Sequence, residues 1–430
     1  MTERKGYYYE FPLINYNKNK NESEFKSDYG ENPFIRGNTL YISLNLLNEK
    51  FLSNRHIKKF QNNNDNLTPK DLNSDENDEI NKLKNMEPTG LINIGGICYL
   101  NAVLQCFYYC KPLTNYFLKL NKNKINLGPL SKGYYDLVQG LSKGDTKAAL
   151  NFKSAMIEID DTFVGSEGKD SKDVAILLLC EMNEELNKNE NSIQNFDKNL
   201  NHFNFENVYE SKIKYEEINK TIISDNFNFF IKYEQKCINN CKKYYKNYYT
   251  IETDNIIIFE LEKIYNDLYG KKTYNYKQIP IISLKDCLRH FVSIEKIKCP
   301  SCNNKNILSI KKSICKLPNI FIFVLSRGYN VKFDCKILYE IDLDMNDYYE
   351  PLNIKNNNNN TKYKLIGATF SYDWTKGIKH TGHTVAFCKT YKEKNNNPQY
   401  YIFNDSKTMQ SNENRIKNEI PYLLFYEKNN

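Results

Sequence analysis

The order of the hydrophobic patterns along the chain constrains its fold more than any other feature. Apolar residues recur at helical spacing in residues 98–118 and 174–186. From residue 237 to the C-terminus, β-branched and aromatic residues alternate with turn-forming residues and predict a series of strands. Helices that come first and strands that follow favour an α+β fold over alternating βαβ units.

The N-terminal region has a different texture. Residues 1–87 are polar and rich in Asn and Lys, so they cannot bury much apolar surface and are expected to form a low-complexity, mostly disordered extension. Within them, Leu44, Leu47 and Phe51 lie at helical spacing and predict one amphipathic helix. We expect the folded domain over residues 88–428.

Charge and hydropathy exclude several classes of protein. The 430 residues include 60 basic and 52 acidic side chains, a net charge of +8, and the lysines are scattered, so we expect no nucleic-acid partner. No apolar run is long enough to cross a membrane, so we expect no membrane insertion. The N-terminus, MTERKGYYYEFPL, lacks the apolar stretch of a signal peptide. We therefore expect an intracellular protein of the cytoplasm, the nucleus or both.

Twelve cysteines in such a chain indicate reduced thiols, metal ligands or a nucleophile. Cys98 follows the glycine-rich segment GLINIGG and begins the strongest predicted helix. The positive end of a helix favours the thiolate, which is the nucleophilic form. Asn93 offers a side-chain amide that could donate to a developing oxyanion. The alternative is that Cys98 is a buried residue at the start of a core helix.

A cysteine nucleophile needs a base, and histidine is scarce. His383 follows Gly382 and begins a predicted strand, so it is the preferred base; His380 lies on the loop before it. The remaining histidines lie in polar segments or in a helical stretch: His56, His202 and His290.

The base also needs a partner that orients its ring. Asn404 and Asp405 end a predicted strand downstream of His383, and antiparallel pairing of the two strands would place Asn404 beside His383. The chain order Cys, His, Asn is that of papain-like proteases.

Two further cysteine pairs have the spacing of metal ligands. Cys299 and Cys302 form a CxxC motif, which can hold one zinc ion between two thiolates. Cys237 and Cys241 are slightly further apart and still within the usual range. The alternative is four unrelated reduced cysteines; the spacing favours a structural zinc site.

These motifs resemble a known family. GLINIGGICYLNAVLQ resembles the cysteine box of the ubiquitin-specific proteases, GLxNxGxTCYxNxxLQ. The segments KHTGHTVAFCKTY and YYIFNDSK resemble their histidine box, and KIKCPSCNNKN with KLPNIFIFVLSR is similar to the middle of that domain. The resemblance covers residues 88–428 in the order expected for the family.

The resemblance implies a papain-like fold with thumb, palm and fingers. The thumb would span about residues 88–230, the zinc-type fingers about 231–315 and the palm about 316–428. It also implies a thiol-dependent ubiquitinyl hydrolase that cleaves the isopeptide or peptide bond after the C-terminal glycine of ubiquitin. Its partners would be ubiquitin and ubiquitinated proteins.

The family's site residues can be carried over by position. Cys98 is then the nucleophile, His383 the base, Asn404 the third member of the triad and Asn93 the oxyanion donor. Asp405 is a neighbouring helper that could share the role of Asn404.

Some positions depart from the family pattern. Ile97 stands where Thr is usual, and Thr384 replaces the aromatic residue after the histidine. The other departures are Gly96, Lys172, Ile176, Ser326 and Gly328. Two alternatives to a deubiquitinating enzyme stay open: an inactive scaffold that binds ubiquitin, and a protease for a ubiquitin-like modifier. All three triad positions are filled, which favours the enzyme.

Overall fold

The computed structural model divides the chain into two compact units, residues 1–64 and 65–430. The structure describes the following residues: 8–12, 34–36, 39–43, 82–120, 127–165, 168–187, 200–238, 241, 243–244, 246–270, 279–302, 306–328, 333–352, 360–373, 382–395, 397–416 and 419–429.

The first unit contains a small antiparallel sheet that the sequence patterns did not predict. Its strands are β1 (Tyr8–Pro12), β2 (Phe34–Arg36) and β3 (Thr39–Ser43), in the order β1-β3-β2. Tyr8 pairs with Ser43 at one end of the ladder, and Phe34 pairs with Tyr41. The helix predicted around Leu47 lies outside the described residues.

The second unit includes residues upstream of the predicted domain start at residue 88. Leu83 is buried in the larger apolar cluster, and Met86 packs against the same cluster. The backbone N–H of Glu393 donates to the carbonyl oxygen of Lys84 over 3.1 Å. The folded region therefore begins before residue 88, because apolar side chains and a backbone hydrogen bond fix this segment.

Seven helices follow in the described part of the chain up to residue 227. They are α1 (Cys98–Tyr108), α2 (Lys111–Lys119), α3 (Pro129–Leu141), α4 (Ala149–Ile159), α5 (Ser171–Leu186), α6 (Phe205–Ile218) and α7 (Ile222–Phe227).

Two local features of these helices follow from the sequence. The single helix predicted over residues 98–118 is two helices, because Pro112 lacks an N–H group and is tolerated only in a first helical turn, here that of α2. Asp170 caps α5 by accepting a hydrogen bond from the backbone N–H of Lys172 over 2.8 Å.

An eight-stranded sheet forms the centre of the second unit. The strands are β6 (Ile257–Glu260), β10 (Ile320–Ser326), β12 (Asp342–Asp344), β13 (Lys362–Asp373), β14 (Gly382–Lys394), β15 (Asn397–Asn404), β16 (Lys407–Ser411) and β17 (Pro421–Lys428). Their order is β16-β15-β14-β13-β17-β10-β6, with β12 paired to β13. Only β6 and β10 pair in parallel in this sheet of described strands; the other pairs are antiparallel. A short helix, α10 (Glu413–Ile416), precedes β17.

A separate four-stranded sheet corresponds to the predicted fingers and is called the finger sheet here. Its order is β5-β4-β9-β8, with β4 (Phe229–Cys237), β5 (Tyr248–Asp254), β8 (Ile294–Lys298) and β9 (Ile307–Lys316).

The segment between β5 and β8 does not belong to the finger sheet. It contains β6, α8 (Leu261–Tyr269), β7 (Ile281–Ser283), which pairs with β11 (Lys336–Leu338), and α9 (Leu284–Phe291). Phe259 and Leu284 pack in the same apolar cluster as Phe323 of the central sheet. The predicted finger region 231–315 is therefore interrupted by residues that pack with the central sheet.

Two apolar clusters lie on opposite faces of the central sheet. Along β17, Leu423 and Phe425 belong to the cluster that contains α1, and Leu424 and Tyr426 belong to the other. Alternating side chains point to opposite faces of a strand, so both faces of β17 are buried. The rings of Phe107 and Phe425 meet edge to face at 5.2 Å and join α1 to the sheet.

In the second unit the first seven described helices precede the strands, which confirms the predicted α+β class. Within the described residues, every helix is too short or too polar to cross a membrane.

Candidate active site

Cys98 is the first residue of α1 and follows a tight turn. Gly95 and Gly96 have φ values of 77° and 72°, a region that side chains with a Cβ rarely adopt. Ile97, at the N-cap, offers no side-chain acceptor to the first turn of the helix. The N–H groups of this turn are therefore available to a negative charge on the Cys98 sulfur.

The electrostatic surroundings of Cys98 only partly match the prediction. Burial raises the pKa of the Cys98 thiol, the backbone N–H of Thr384 lowers it, and the negative charge of Asp405 raises it; the N–H groups of Tyr99 and Cys98 also lower it. The N–H groups at the start of α1 lower the pKa, as predicted for a helix terminus, but the net shift is upward. Burial outweighs the helix terminus because it removes the charge from water. The thiol therefore needs a base.

His383 is the second residue of β14, and Asn404 is the last residue of β15. The two strands pair in antiparallel fashion, with Ala386 opposite Phe403. The Nε2 atom of His383 lies 2.7 Å from Oδ1 of Asn404. An amide oxygen only accepts, so Nε2 carries the proton and Nδ1 is left as an acceptor.

The strand that carries His383 also contacts Cys98. The backbone N–H of Thr384, the residue after His383, acts on the Cys98 sulfur, and α1 packs on β14. The other described histidines lie elsewhere: the Nδ1 atom of His202 is 2.9 Å from the carbonyl oxygen of Tyr249, and Nε2 of His290 is 3.0 Å from Asp267. His56 and His380 lie outside the described residues.

Asp405 joins the segment before α1 to the strand that carries Asn404. Its Oδ1 accepts a hydrogen bond from Nδ2 of Asn101 over 2.9 Å, and its Oδ2 accepts one from Nδ2 of Asn93 over 3.1 Å. The same Oδ2 lies 3.9 Å from Nε2 of His383. Asp405 has a φ of 51°, which Asp tolerates better than most residues.

Asn93 is held at both ends of its amide. Its Oδ1 accepts a hydrogen bond from the backbone N–H of Ile97 over 2.9 Å, and one N–H of Nδ2 donates to Asp405. An amide nitrogen carries two hydrogens, so the second one is left to donate to another acceptor. This arrangement suits a fixed donor beside Cys98.

Three residues around the site lie in the quoted segment GLINIGGICYLNAVLQ, but the sequence patterns assigned them no role. Gly90 lies against Asp405, because a Cβ at this position would be 2.4 Å from the Asp405 carbonyl oxygen. Asn101 and Gln105 are buried on α1, one turn apart, and donate to carbonyl oxygens of the segment that precedes the helix. Two amides four residues apart in an otherwise apolar helix were the signal in the sequence.

The four predicted metal ligands come together at the end of the finger sheet. The sulfur atoms of Cys237, Cys241, Cys299 and Cys302 all lie within 4.8 Å of one another. Two of the sulfur–sulfur distances are 3.6 and 3.9 Å. Tetrahedral zinc with Zn–S bonds of about 2.3 Å places its sulfurs about 3.8 Å apart, so the four cysteines fit a zinc ion.

Comparisons with known proteins find similarity over most of the second unit. The family described as ubiquitin carboxyl-terminal hydrolase matches residues 89–426, which is most of the chain. Human ubiquitin carboxyl-terminal hydrolase 2 is 24% identical over 362 residues, covering 79% of this chain and 54% of the relative. A putative ubiquitin carboxyl-terminal hydrolase 11 of Arabidopsis thaliana is 29% identical over 188 residues, which cover 41% of this chain and 19% of the relative. The chain thus spans about half the length, or less, of these curated relatives.

Solved structures support the fold. The structure of the SAGA Ubp8/Sgf11/Sus1/Sgf73 DUB module bound to ubiquitin aldehyde is similar with a TM-score of 0.55 and 19% identity, over 81% of this chain and 72% of the other. This likeness confirms the predicted architecture. Together with the family match over residues 89–426, it leads to one conclusion: the chain belongs to the ubiquitin carboxyl-terminal hydrolase family.

Proposed function

We propose that the protein is a thiol-dependent deubiquitinating enzyme, which hydrolyses the isopeptide or peptide bond after the C-terminal glycine of ubiquitin. The observation that carries the proposal is the placement of Cys98 against the N–H of Thr384, next to a His383 ring whose Nε2–H donates to Asn404. Ubiquitin is the proposed partner because the similar DUB module carries ubiquitin aldehyde.

In the proposed acylation step, Nδ1 of His383 takes the proton from the Cys98 sulfur, which attacks the carbonyl carbon of the C-terminal glycine. The second N–H of the Asn93 amide donates to the oxyanion that forms. Collapse of the tetrahedral intermediate expels the amine, which takes the proton from His383, and leaves a thioester on Cys98.

Deacylation follows the same path with water as the nucleophile. His383 takes a proton from water, the hydroxide attacks the thioester, and the Cys98 thiolate leaves and regains the proton. Asn404 keeps the imidazole in the tautomer that has Nδ1 free, and Asp405 favours the imidazolium by its charge at 3.9 Å. The products are the free amine and ubiquitin with a C-terminal carboxylate.

The test is the reaction of the full chain with ubiquitin bearing an electrophile at its C-terminus. We expect one covalent adduct by intact mass, lost in Cys98→Ala. Cys180→Ala is the matched control, because burial raises the pKa of this partly buried thiol, which lies on α5, to about 12. A folded wild-type chain that binds ubiquitin without reacting would instead be an inactive scaffold. Selective reaction of the same electrophile on a ubiquitin-like modifier would identify a protease for that modifier.

The finger cysteines are proposed to hold a structural zinc ion. Two pairs of thiolates with the observed sulfur spacing match tetrahedral zinc, whose role is to fix the end of the finger sheet. The N–H of Cys237 donates to the carbonyl oxygen of Tyr244 over 3.1 Å, which closes the loop that contains Cys241. Elemental analysis of the purified protein tests the proposal, with one zinc per chain as the expected result.

A further inference from the structure

Two buried amides on α1 hold the segment that leads to the active-site turn. Nδ2 of Asn101 lies 3.3 Å from the carbonyl oxygen of Leu91 and 3.2 Å from that of Ile92. Nε2 of Gln105, one turn further along the helix, donates to the carbonyl oxygen of Thr89 over 2.9 Å. Both side chains are almost fully buried, at 2% and 1% exposure.

The two amides differ in one contact. Asn101 also donates to Oδ1 of Asp405 over 2.9 Å, whereas the described contact of Gln105 is with Thr89 alone. The other oxygen of the same carboxylate, Oδ2, holds Asn93 at 3.1 Å and lies 3.9 Å from the His383 ring. The carboxylate of Asp405 therefore links Asn101 to Asn93, the proposed oxyanion donor, and to His383, the proposed base.

The burial of Asn101 is costly for stability. Its Oδ1 has no hydrogen-bond partner among the described residues, and neither has Oε1 of Gln105. An unpaired buried oxygen destabilises the fold, and an apolar residue of the same shape would avoid that cost. The other side chains of α1 are all buried and mostly apolar, so a leucine would fit the surroundings.

We infer that Asn101 is a positioning residue for the reaction. It fixes the carboxylate of Asp405, which in turn holds the amide of Asn93 and faces the imidazole of His383. Without Asn101 the carboxylate is free to turn, and the oxyanion donor loses its fixed position relative to Cys98. This inference depends on the proposed function.

The test compares Asn101→Leu with the matched control Gln105→Leu, in the full chain, with a ubiquitin–fluorophore conjugate as substrate. Both variants remove a buried amide that donates to the same segment, but only the first removes the contact to Asp405. We expect Asn101→Leu to lower kcat between about tenfold and a hundredfold with KM nearly unchanged, the effect of misplacing a reacting group. Gln105→Leu should lower kcat much less than Asn101→Leu, because its described hydrogen bond goes to Thr89 and not to Asp405.

A second comparison separates positioning from a general structural effect. Asp405→Gly removes the carboxylate at a position where φ is 51°, which glycine adopts without strain. If Asn101 acts through Asp405, Asn101→Leu should lower kcat much less in the Asp405→Gly background than in the wild type. Equal effects in both backgrounds, or equal losses of kcat for Asn101→Leu and Gln105→Leu, would overturn the inference.

The experiment also distinguishes a variant that fails to fold from a wild-type protein that is inactive. If Asn101→Leu does not fold, Asn101→Ser replaces it, since serine keeps a donor for a nearby carbonyl but is too short to reach Asp405. Wild-type turnover and its loss in Cys98→Ala are measured first. An inactive wild type overturns the proposed function and this inference together, whereas an active wild type with an equally active Asn101→Leu overturns this inference alone.

Discussion

The thiol of Cys98 and the four thiols of the finger sheet are held in place in different ways. Cys98 begins a helix that packs in the larger apolar cluster, and hydrogen bonds through Asp405 fix the segment before it. The finger cysteines have only a small cluster of their own, in which Tyr244 and Leu308 are the buried residues besides Cys237 and Cys299.

The difference shows what each site needs for its geometry. The apolar cluster around α1 and the hydrogen bonds to Asp405 hold the surroundings of Cys98 in place. The cluster of buried residues at the finger cysteines is small among the described residues, so we expect the proposed zinc ion to contribute much of the stability there. Substitutions at the first site should therefore change activity without unfolding, and those at the second should change stability first.

The largest expected effect is that of Cys98→Ala, which should abolish cleavage of a ubiquitin–fluorophore conjugate. The substitution removes the group that forms the bond and little contact area, so the melting temperature and ubiquitin binding should stay near wild type. His383→Ala should be nearly as severe, because the raised pKa of the Cys98 thiol makes a proton acceptor necessary. Wild-type turnover by Cys98→Ala would show that the nucleophile is a different residue.

Replacement of Cys299 and Cys302 by Ser should release the metal and lower the free energy of unfolding by several kcal/mol. Two ligands are lost from a site whose apolar cluster is small. Metal content and thermal unfolding measure the effect, with Cys180→Ser as the control that keeps its metal. A wild-type protein that contains no zinc and still folds normally would contradict the claim that the finger cysteines, unlike Cys98, need a metal ion for stability.

Asn93→Ala should lower kcat about a hundredfold with little change in KM, the usual cost of one oxyanion donor. The side chain is partly exposed and held by Asp405 and Ile97, so its loss should leave stability nearly unchanged. Steady-state kinetics and a melting curve are the measurements. A large fall in melting temperature with unchanged kcat would mean that Asn93 only fixes the turn before α1.

Asn404→Ala should have a milder effect and lower kcat about tenfold, since Asn404 orients the ring but takes no part in bond making. Asp405 lies 3.9 Å from the same nitrogen and can take over part of the role. The double variant Asn404→Ala with Asp405→Gly should then be much weaker than either single variant. Kinetics that are equally poor in Asn404→Ala and Cys98→Ala would show that Asp405 offers no such support.

The smallest expected effect concerns ion pairs on the finger sheet. They link Glu350 to Lys232 of β4 and Lys311 of β9. Glu350 pairs with Lys232 and Lys311 and accepts a hydrogen bond from Ser313 over 3.2 Å. Burial opposes ionisation of Glu350, but the two lysines outweigh it and lower its pKa to about 2.

A lowered pKa means that this carboxylate stabilises the fold above its unfolded pKa and loses that contribution as the pH falls toward 2. Because Glu350 is 37% exposed, Glu350→Gln should cost only about 1 kcal/mol at neutral pH. The difference from wild type should shrink between about pH 5 and pH 2. Glu340→Gln, which removes the more exposed pair with Lys285, is the control and should have less effect. A difference that does not depend on pH would contradict the assigned role of the charge.

The sequence by itself determined the features that depend on short-range patterns. A period of 3.6 residues placed the helix that begins at Cys98, and a period of two placed the strands that carry His383 and Asn404. The CxxC spacing identified Cys299 and Cys302 because two ligands of one metal can be close in the chain. The antiparallel pairing of β14 and β15 followed from their adjacency in the sequence.

Only the tertiary structure decided what depends on residues far apart in the chain. It placed β6 beside β10 in the central sheet instead of the fingers, because Phe259 packs against the apolar cluster of Phe323. It showed that burial raises the pKa of the Cys98 thiol, although its helix terminus acts in the opposite direction. It also joined Asn101 to Asp405, which lie 304 residues apart. Burial and long-range hydrogen bonds arise when separate segments pack together, and no local spacing of residue types encodes them.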